Sequence, residues 1–462
     1  MTGFVVWSKL PLLVYTIGPG PGLWAGGVGI PEEGGVKRKL AAAIGIAGMV
    51  VSVAACGNSD SGSSDNSGAD AKELTVWLTV DAQNNWPELV KAADAAVQKK
   101  HPGIKINHEY YGWPDKNTKL DAVLATDKAP DVVEMGNTEM LGYMVKGAFA
   151  PLDPSKFTNS SAWLDGLKAS VSYDGKTYGV PYYAGGRVGN WRKDVFASVG
   201  VKSTPKTYAE LTAALDKVQK KEGDKFSAWY QPTRDWYAAM SFVYDAGGSI
   251  AKEDGGQWKA SLSSPESVKG LTEFKNVVDK YMHGDKTKDE NDRYIVYGQG
   301  KSGMIFGAAW EGATSADPKN DKTGKLKDNL ENFVMPGPSG KNMPVFLGGS
   351  DLAVPVKSKA QAVAAEWINA FTGPSGQKGL MAKGNLPNNK TDLATLKNDP
   401  ATAVPATAAE SNWFVPMAPG WGQVEKAQIL QTMLQNIGTG KKSVEAAAKE
   451  ADAAIDKVIN TK

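Results

Sequence analysis

Leu74-Thr75-Val76-Trp77-Leu78-Thr79 and Asp131-Val132-Val133-Glu134-Met135 bracket the stretch that decides the fold. Both runs are short, apolar and rich in β-branched residues, so each reads as a buried strand. Between them, Val80 to Trp86 reads as a loop. Pro87 then opens a helix whose Leu89, Ala93 and Val97 recur on one face, and His101-Pro102-Gly103 stops it. Ile104 to Tyr110 alternates as a strand does, and Asn117 to Ala125 has helical spacing. Strand, helix, strand, helix, strand predicts an α/β layer with a parallel sheet. Ligands of such sheets lie beyond the carboxyl ends of the strands, so the loops starting at Val80 and Gly136 face one crevice.

Helical signals continue downstream. Thr207-x-x-Glu210 is a capping box ahead of Tyr208, Leu211, Leu215 and Val218. Ser264-Pro265 starts a helix carrying Val268, Leu271, Phe274 and Val278. Ser443 caps a last helix with Val444, Ala448, Ala451, Ile455 and Val458 on one face. No internal repeat interrupts this order.

Upstream, the basic trio Lys37-Arg38-Lys39 precedes an apolar run from Leu40 to Val53, and Val53-Ala54-Ala55-Cys56 contains the only cysteine of 462 residues. A charged start, an apolar core and small residues at a cleavage point describe an export signal. Cleavage before the cysteine resembles a bacterial lipobox, so residues 36–55 read as a lipoprotein signal peptide with Cys56 as the lipidated N-terminus. The Ser/Gly/Asp-rich residues 56–71 read as a flexible tether. Residues 1–35 have no periodicity; they are expected to be a leader extension or an untranslated stretch ahead of a start at Val36.

Composition narrows the function classes. Without its first 55 residues the chain is long for one core and comfortable for two domains. A net charge of +2 with 22% charged residues lacks the basic excess of a nucleic-acid binder. No long apolar stretch follows Cys56, so no span is expected in the mature chain. Disulfides are excluded there although an exported protein would permit them. Only three histidines exist, His101, His108 and His283, and none has a triad or metal partner nearby in sequence. No metal and no cofactor are expected.

Seven segments in order now carry a resemblance: Leu74 to Asp81, Pro130 to Asn137, Gly175 to Tyr182, Trp191 to Phe196, Gly298 to Gly307, Phe346 to Ala353 and Pro416 to Trp421. From about residue 72 onward the chain resembles the sugar-binding, maltodextrin-binding-like (family 1) solute-binding lipoproteins of bacterial ABC importers. The resemblance implies an α/β, two-lobed periplasmic-binding-protein type II fold whose lobes are joined by crossing hinge strands. Lobe one is expected over 72–180 plus 338–372, and lobe two over 181–337 plus 373–462. It further implies a monomer that holds a carbohydrate between its lobes and delivers it to the transmembrane subunits of a permease. The site would lie at the outer face of the cytoplasmic membrane, tethered by the lipid.

A sugar offers hydroxyls at its edge and C–H patches on its faces, so its site needs flat rings and fixed polar groups. All but two of the 14 tryptophans follow Cys56. Trp77, mid-strand, and Trp367, on the helix Ala360–Phe371, read as core. Trp310 stands among small residues at a strand's end, and Trp421 precedes a helix in Ala418-Pro419-Gly420-Trp421-Gly422. Both fall where the family stacks sugar faces. Trp229, Gln231, Arg234, Asp235 and Trp236 form an aromatic and polar loop in lobe two. In lobe one, Asp81, Gln83 and Asn84 occupy the first strand-end loop, and Asn137, Thr138 and Glu139 the later one; both groups also suit helix caps. Tyr182 and Tyr183 sit at the crossover. Gly349, Ser350 and Asp351 sit at the return, where glycine lets backbone amides approach a ligand and Asp351 could accept hydroxyls. Thr79 and Glu139 depart from the maltodextrin pattern, which puts maltose itself in doubt. A secreted glycosidase needs two carboxyls at a fixed separation, and no spacing singles out a pair. A binder of a polyamine, an iron complex or a peptide stays open, as does a structural surface lipoprotein.

Overall fold

The computed structural model describes residues 71–113, 116–124, 126–288, 293–400 and 402–461. The expected leader, signal peptide, Cys56 and tether lie outside the described residues. Among the described residues no helix is long and apolar enough to cross a membrane.

Nine strands build two sheets. β1 (Glu73–Thr79), β2 (Lys105–Tyr111), β3 (Val132–Gly136), β4 (Gly179–Gly185), β5 (Arg187–Arg192), β6 (Ser227–Trp229), β7 (Ser302–Ala308), β8 (Leu330–Phe333) and β9 (Gly348–Ala353) follow in chain order. The first sheet runs β2-β1-β3-β9-β4, with β1 parallel to β2 and β3 and with β9 antiparallel to its two neighbours. The second runs β8-β5-β7-β6, with β6 parallel to β7 and β5 antiparallel to both β7 and β8. The fold is the α/β architecture that the alternation of strand and helix implied.

The sequence patterns produce these elements by ordinary means. Leu74, Val76 and Leu78 are fully buried in β1, and Val132 and Val133 in β3. The helix Pro87–Lys100 buries Val90, Ala93 and Val97, while the helix Gln361–Thr372 buries Trp367 and packs against it. Asp94 joins the pair, accepting from the Trp367 indole at 2.8 Å and lying 2.9 Å from His108 Nε2. In the second lobe Thr207, Ser264 and Ser443 each accept an amide of their own first turn. The C-terminal helix Val444–Asp456 is pinned to that lobe: Asp452 and Asp456 accept the amides of Leu262, Ser263 and Ala260 at 2.8–2.9 Å. The segment Val80–Asn85, expected as loop, winds into a short helix around the fully buried Ala82.

The chain crosses between sheets later than expected at each step. β4 stays in the first sheet to Gly185, so the first crossing falls at Gly186 rather than at 180. The return comes just before β9, because Met343 still pairs with Met335 and Val345 with Ser411. Beyond Phe371 the chain remains on the first lobe. Gln377 donates to the Tyr182 carbonyl (2.9 Å), Asn388 to that of Pro181 (2.7 Å), and Leu386 exchanges backbone bonds with Ala184. Only with the helix Ala403–Ala408 does it reach β5 and β8.

Topology decides where the lobes face one another. β4 ends at the carboxyl edge of the first sheet. One residue later β5 begins beside the carboxyl end of β7, where Arg187 pairs with Ala308. The two carboxyl edges therefore meet at Gly186, and the loops beyond them line the gap between the lobes.

Candidate functional site

On the lobe-one side, β2 ends at Tyr111 and the chain turns outward at Trp113, whose ring is 39% exposed. Its indole donates to Asp81 Oδ2 at 2.9 Å. The Lys116 ammonium lies 5.3 Å from the same ring, within cation–π range, and is buried. It pairs with Glu139, whose other oxygen accepts from Asn117 at 2.8 Å, and the Gly136 amide donates to the carboxylate at 3.0 Å. Asp81, Trp113, Lys116, Asn117 and Glu139 thus form one cluster at the carboxyl ends of β1, β2 and β3.

Beneath this cluster is a buried polar floor. Glu134 accepts the Thr79 amide at 2.8 Å and the Thr79 hydroxyl at 3.1 Å, and burial raises its pKa above the usual carboxylate range. Tyr111 donates to the Glu134 carbonyl at 2.5 Å. Ser350 and Tyr183 stand hydroxyl to hydroxyl at 3.4 Å on the same sheet face, and burial raises the Tyr183 phenol as well. At Gly349, φ is +148° and a side chain would strike the Tyr183 carbonyl, so only glycine fits.

On the lobe-two side, Trp310 is the second exposed tryptophan, at 59%. It sits in the first turn of the helix Ala309–Ser315, directly beyond β7, with the Tyr294 ring 6.2 Å away. Glu311 accepts the Ala308 amide at 2.9 Å and closes that turn. A Cβ at Gly307, the penultimate residue of β7, would lie 2.6 Å from this carboxylate and would displace it. Beyond β6, Asp235 caps the helix Trp236–Asp245 by accepting the Ala238 amide at 3.1 Å. Arg187 lies 4.7 Å above the Tyr237 ring and 6.0 Å from that of Phe346. Trp236 and Tyr237 stack at 4.0 Å.

A helix pair spans the gap. The helix Trp421–Lys426 of lobe two packs on Met140–Val145 of lobe one and brings Glu425 to Thr138 and Glu139. The Glu425 pKa is pushed up to about 8, first by burial and then by the Glu139 charge, with Lys116 opposing.

The expected site residues separate into two groups. Asp81, Thr138, Glu139, Tyr183, Gly349 and Trp310 stand at the facing edges, as do Gln83 and Asn84, which are exposed on their short helix. The others serve the framework. Trp421 is fully buried against Trp236 at 5.9 Å, and Trp229 packs against Phe242 and Phe306, so neither offers a face to a ligand. Trp236, at 4%, floors the same aromatic bed. Gln231 donates to Asp235 at 3.1 Å, and Arg234 turns away to Gln428 and Gln435. Asn137 ties the two lobe-one loops together through the Leu347 carbonyl (2.9 Å). Tyr182 is buried as the acceptor of the Trp86 indole, Ser350 is buried in the floor, and Asp351 is buried on the opposite sheet face. Sequence reasoning missed Trp113, Lys116, Arg187, Tyr237 and Glu425. Trp113 had a readable signal, since it follows the alternating run Ile104 to Tyr110 by three residues.

Residues 92–406 match the family described as bacterial extracellular solute-binding protein. The Streptomyces coelicolor protein named diacetylchitobiose binding protein DasA is 33% identical over 89% of this chain and 96% of its own length. Among solved structures, a Thermotoga lettingae ABC transporter solute-binding protein bound with α-D-tagatose superposes at TM-score 0.70 and 22% identity, covering 84% of this chain and all of that one. A cyclo/maltodextrin-binding protein complexed with maltotetraose does so at 0.70 and 20%, covering 86% and 98%. The match over most of the chain, on two lobes that meet at the carboxyl edges of their sheets, places this protein in the bacterial extracellular solute-binding protein family.

Proposed function

We propose that this chain is the carbohydrate-capturing component of an ABC importer, taking a short oligosaccharide between its lobes and presenting it to a permease. One observation carries the reading: Trp113 and Trp310 are exposed at the two facing carboxyl edges, each beside carboxylates that are fixed by hydrogen bonds. Rings cover sugar faces at low entropic cost, and fixed acids meet the hydroxyls. The Streptomyces relative's name makes an N-acetylated disaccharide the first candidate. Lobe closure through hinge motion about Gly186 and the other crossings would couple capture to permease recognition. A lipid on Cys56 would keep the protein at the outer face of the membrane.

Thermal-shift and calorimetric titration of the purified protein with N,N′-diacetylchitobiose, maltose, cellobiose and N-acetylglucosamine tests the ligand class. At least one sugar should raise the melting temperature in a saturable way without being hydrolysed, diacetylchitobiose most. No shift with any member of a broad carbohydrate panel, or turnover of one, overturns the reading. For the anchor, Cys56→Ala should release the expressed protein from bacterial membranes; unchanged membrane retention would remove it.

A further inference from the structure

We infer that Arg293 is a positioning residue for sugar stacking, a buried guanidinium that fixes both helix starts on the lobe-two wall of the gap. The inference rests on the proposed sugar site. Arg293 is 1% exposed, so it touches no ligand itself. Its Nε donates to Glu311 Oε2 at 2.8 Å and its Nη2 to Glu311 Oε1 at 2.5 Å, a bidentate pair. Its remaining terminal nitrogen donates to Asp235 Oδ2. Each of those carboxylates already holds a backbone amide: Glu311 that of Ala308, and Asp235 that of Ala238. One guanidinium therefore ties the turn that presents Trp310 to the turn that presents Trp236 and Tyr237. The next residue, Tyr294, sets its ring against Trp310.

The geometry explains how a ring that is more than half exposed keeps one orientation. Trp310 has little packing of its own, so its backbone must be held from behind. Glu311 follows it directly and does so only while its two oxygens are fixed. The Asp235 arm carries the same constraint to Tyr237, under Arg187, whose terminal nitrogen lies 3.9 Å from Asp235. A lysine at position 293 would keep the charge but not the fork, so its single nitrogen could not reproduce the bidentate grip on Glu311 together with the bond to Asp235.

The test is a double-mutant cycle of Arg293→Lys and Trp310→Ala, with N,N′-diacetylchitobiose as the calorimetric probe. Arg293→Lys should weaken binding about tenfold in the parent protein and less than twofold in the Trp310→Ala background. Equal losses in both backgrounds, or no loss in either, overturn the inference. Unchanged affinity in Trp310→Ala alone would instead overturn the site reading on which it rests. A second measurement needs no sugar. With 5-fluorotryptophan incorporated, the ¹⁹F resonance that vanishes in Trp310→Ala should shift or broaden in Arg293→Lys while the fully buried Trp367 resonance stays in place. An unmoved Trp310 resonance overturns the inference, and a global change including Trp367 reports unfolding and overturns it as a specific positioning role.

Discussion

The two walls of the gap are built on opposite plans. In lobe one the exposed ring, Trp113, is held by one hydrogen bond to Asp81 and by the Lys116 ammonium, and Asp81 and Glu139 are both reached by solvent. In lobe two the exposed ring, Trp310, rests on Glu311, Arg293 and Asp235, all at or below 4% exposure. Lys116 is buried, but the carboxylates it and Trp113 meet are partly solvated, and such pairings gain less than those of the fully buried network in lobe two. The contrast assigns stacking energy to lobe two and adaptable hydroxyl recognition to lobe one. The comparison breaks or sharpens according to what single substitutions do on either side.

The largest effect belongs to Trp421→Ala. With no exposed face and a place in the bed formed by Trp236, Trp413 and Phe346, its loss should cost about 3–5 kcal/mol of folding stability, read from urea unfolding. A fully stable variant with lost sugar affinity would return Trp421 to the ligand wall. Trp310→Ala should follow, with native stability but affinity lower by roughly 30- to 100-fold, about 2–3 kcal/mol, in isothermal titration. Trp113→Ala should cost about tenfold, and an order reversed between these two rings would invert the assignment of stacking to lobe two.

Why some of this was legible and some not follows from the range of each signal. Strand and helix order, the caps at Thr207, Ser264 and Ser443, and the exposed Trp310 are local properties of a few consecutive residues. Position in a seven-segment pattern pointed to Trp421, but burial is set by a partner far along the chain: Trp236, itself packed against Phe346 and Trp413, lies 5.9 Å from it. The same holds for Arg293, whose two acids lie 58 and 18 residues away and gave no spacing signal. The late crossings were missed for a third reason. Gln377, Leu386 and Asn388 bind backbone groups of β4, and backbone groups are the same at every position, so sequence marks no preferred partner.

Glu425 tests the boundary between the walls. Its pKa, raised to about 8 in the folded, lobe-contacting state from an ordinary value near 4.5, means the native state keeps a proton that the unfolded chain releases. Stability from this group is therefore lost as pH rises from about 4.5 to about 8 and does not fall further above that. The groups that face it are Glu139 and Lys116 from lobe one, with Thr138 and, on its own helix, Trp421. Glu425→Gln should flatten the stability profile across that window and leave the protein about 1–3 kcal/mol more stable at pH 8. A profile identical to the parent's would show that the carboxyl is solvated and that the lobes do not meet there in solution.

The smallest effect is expected at Asp351, and it discriminates most cleanly between a wall residue and a framework one. Its side chain points to the sheet face opposite Ser350 and is fully buried. Among the described residues neither carboxylate oxygen has a hydrogen-bond partner, since the nearby Ser170 hydroxyl is committed to the Leu167 carbonyl at 2.7 Å. Desolvation therefore pushes its pKa well above the usual carboxylate value. A fully buried side chain on the sheet face away from the gap does not reach a sugar hydroxyl. Asp351→Asn, nearly isosteric with the protonated acid, should leave affinity within about twofold. It should also abolish the decline in stability that Asp351 contributes as pH rises above its unfolded value near 4, because the amide has no proton to lose. A tenfold loss of affinity without loss of stability would place the carboxyl in the gap and make the lobe-one wall deeper and more highly charged than its surface cluster of Asp81, Trp113 and Glu139 implies.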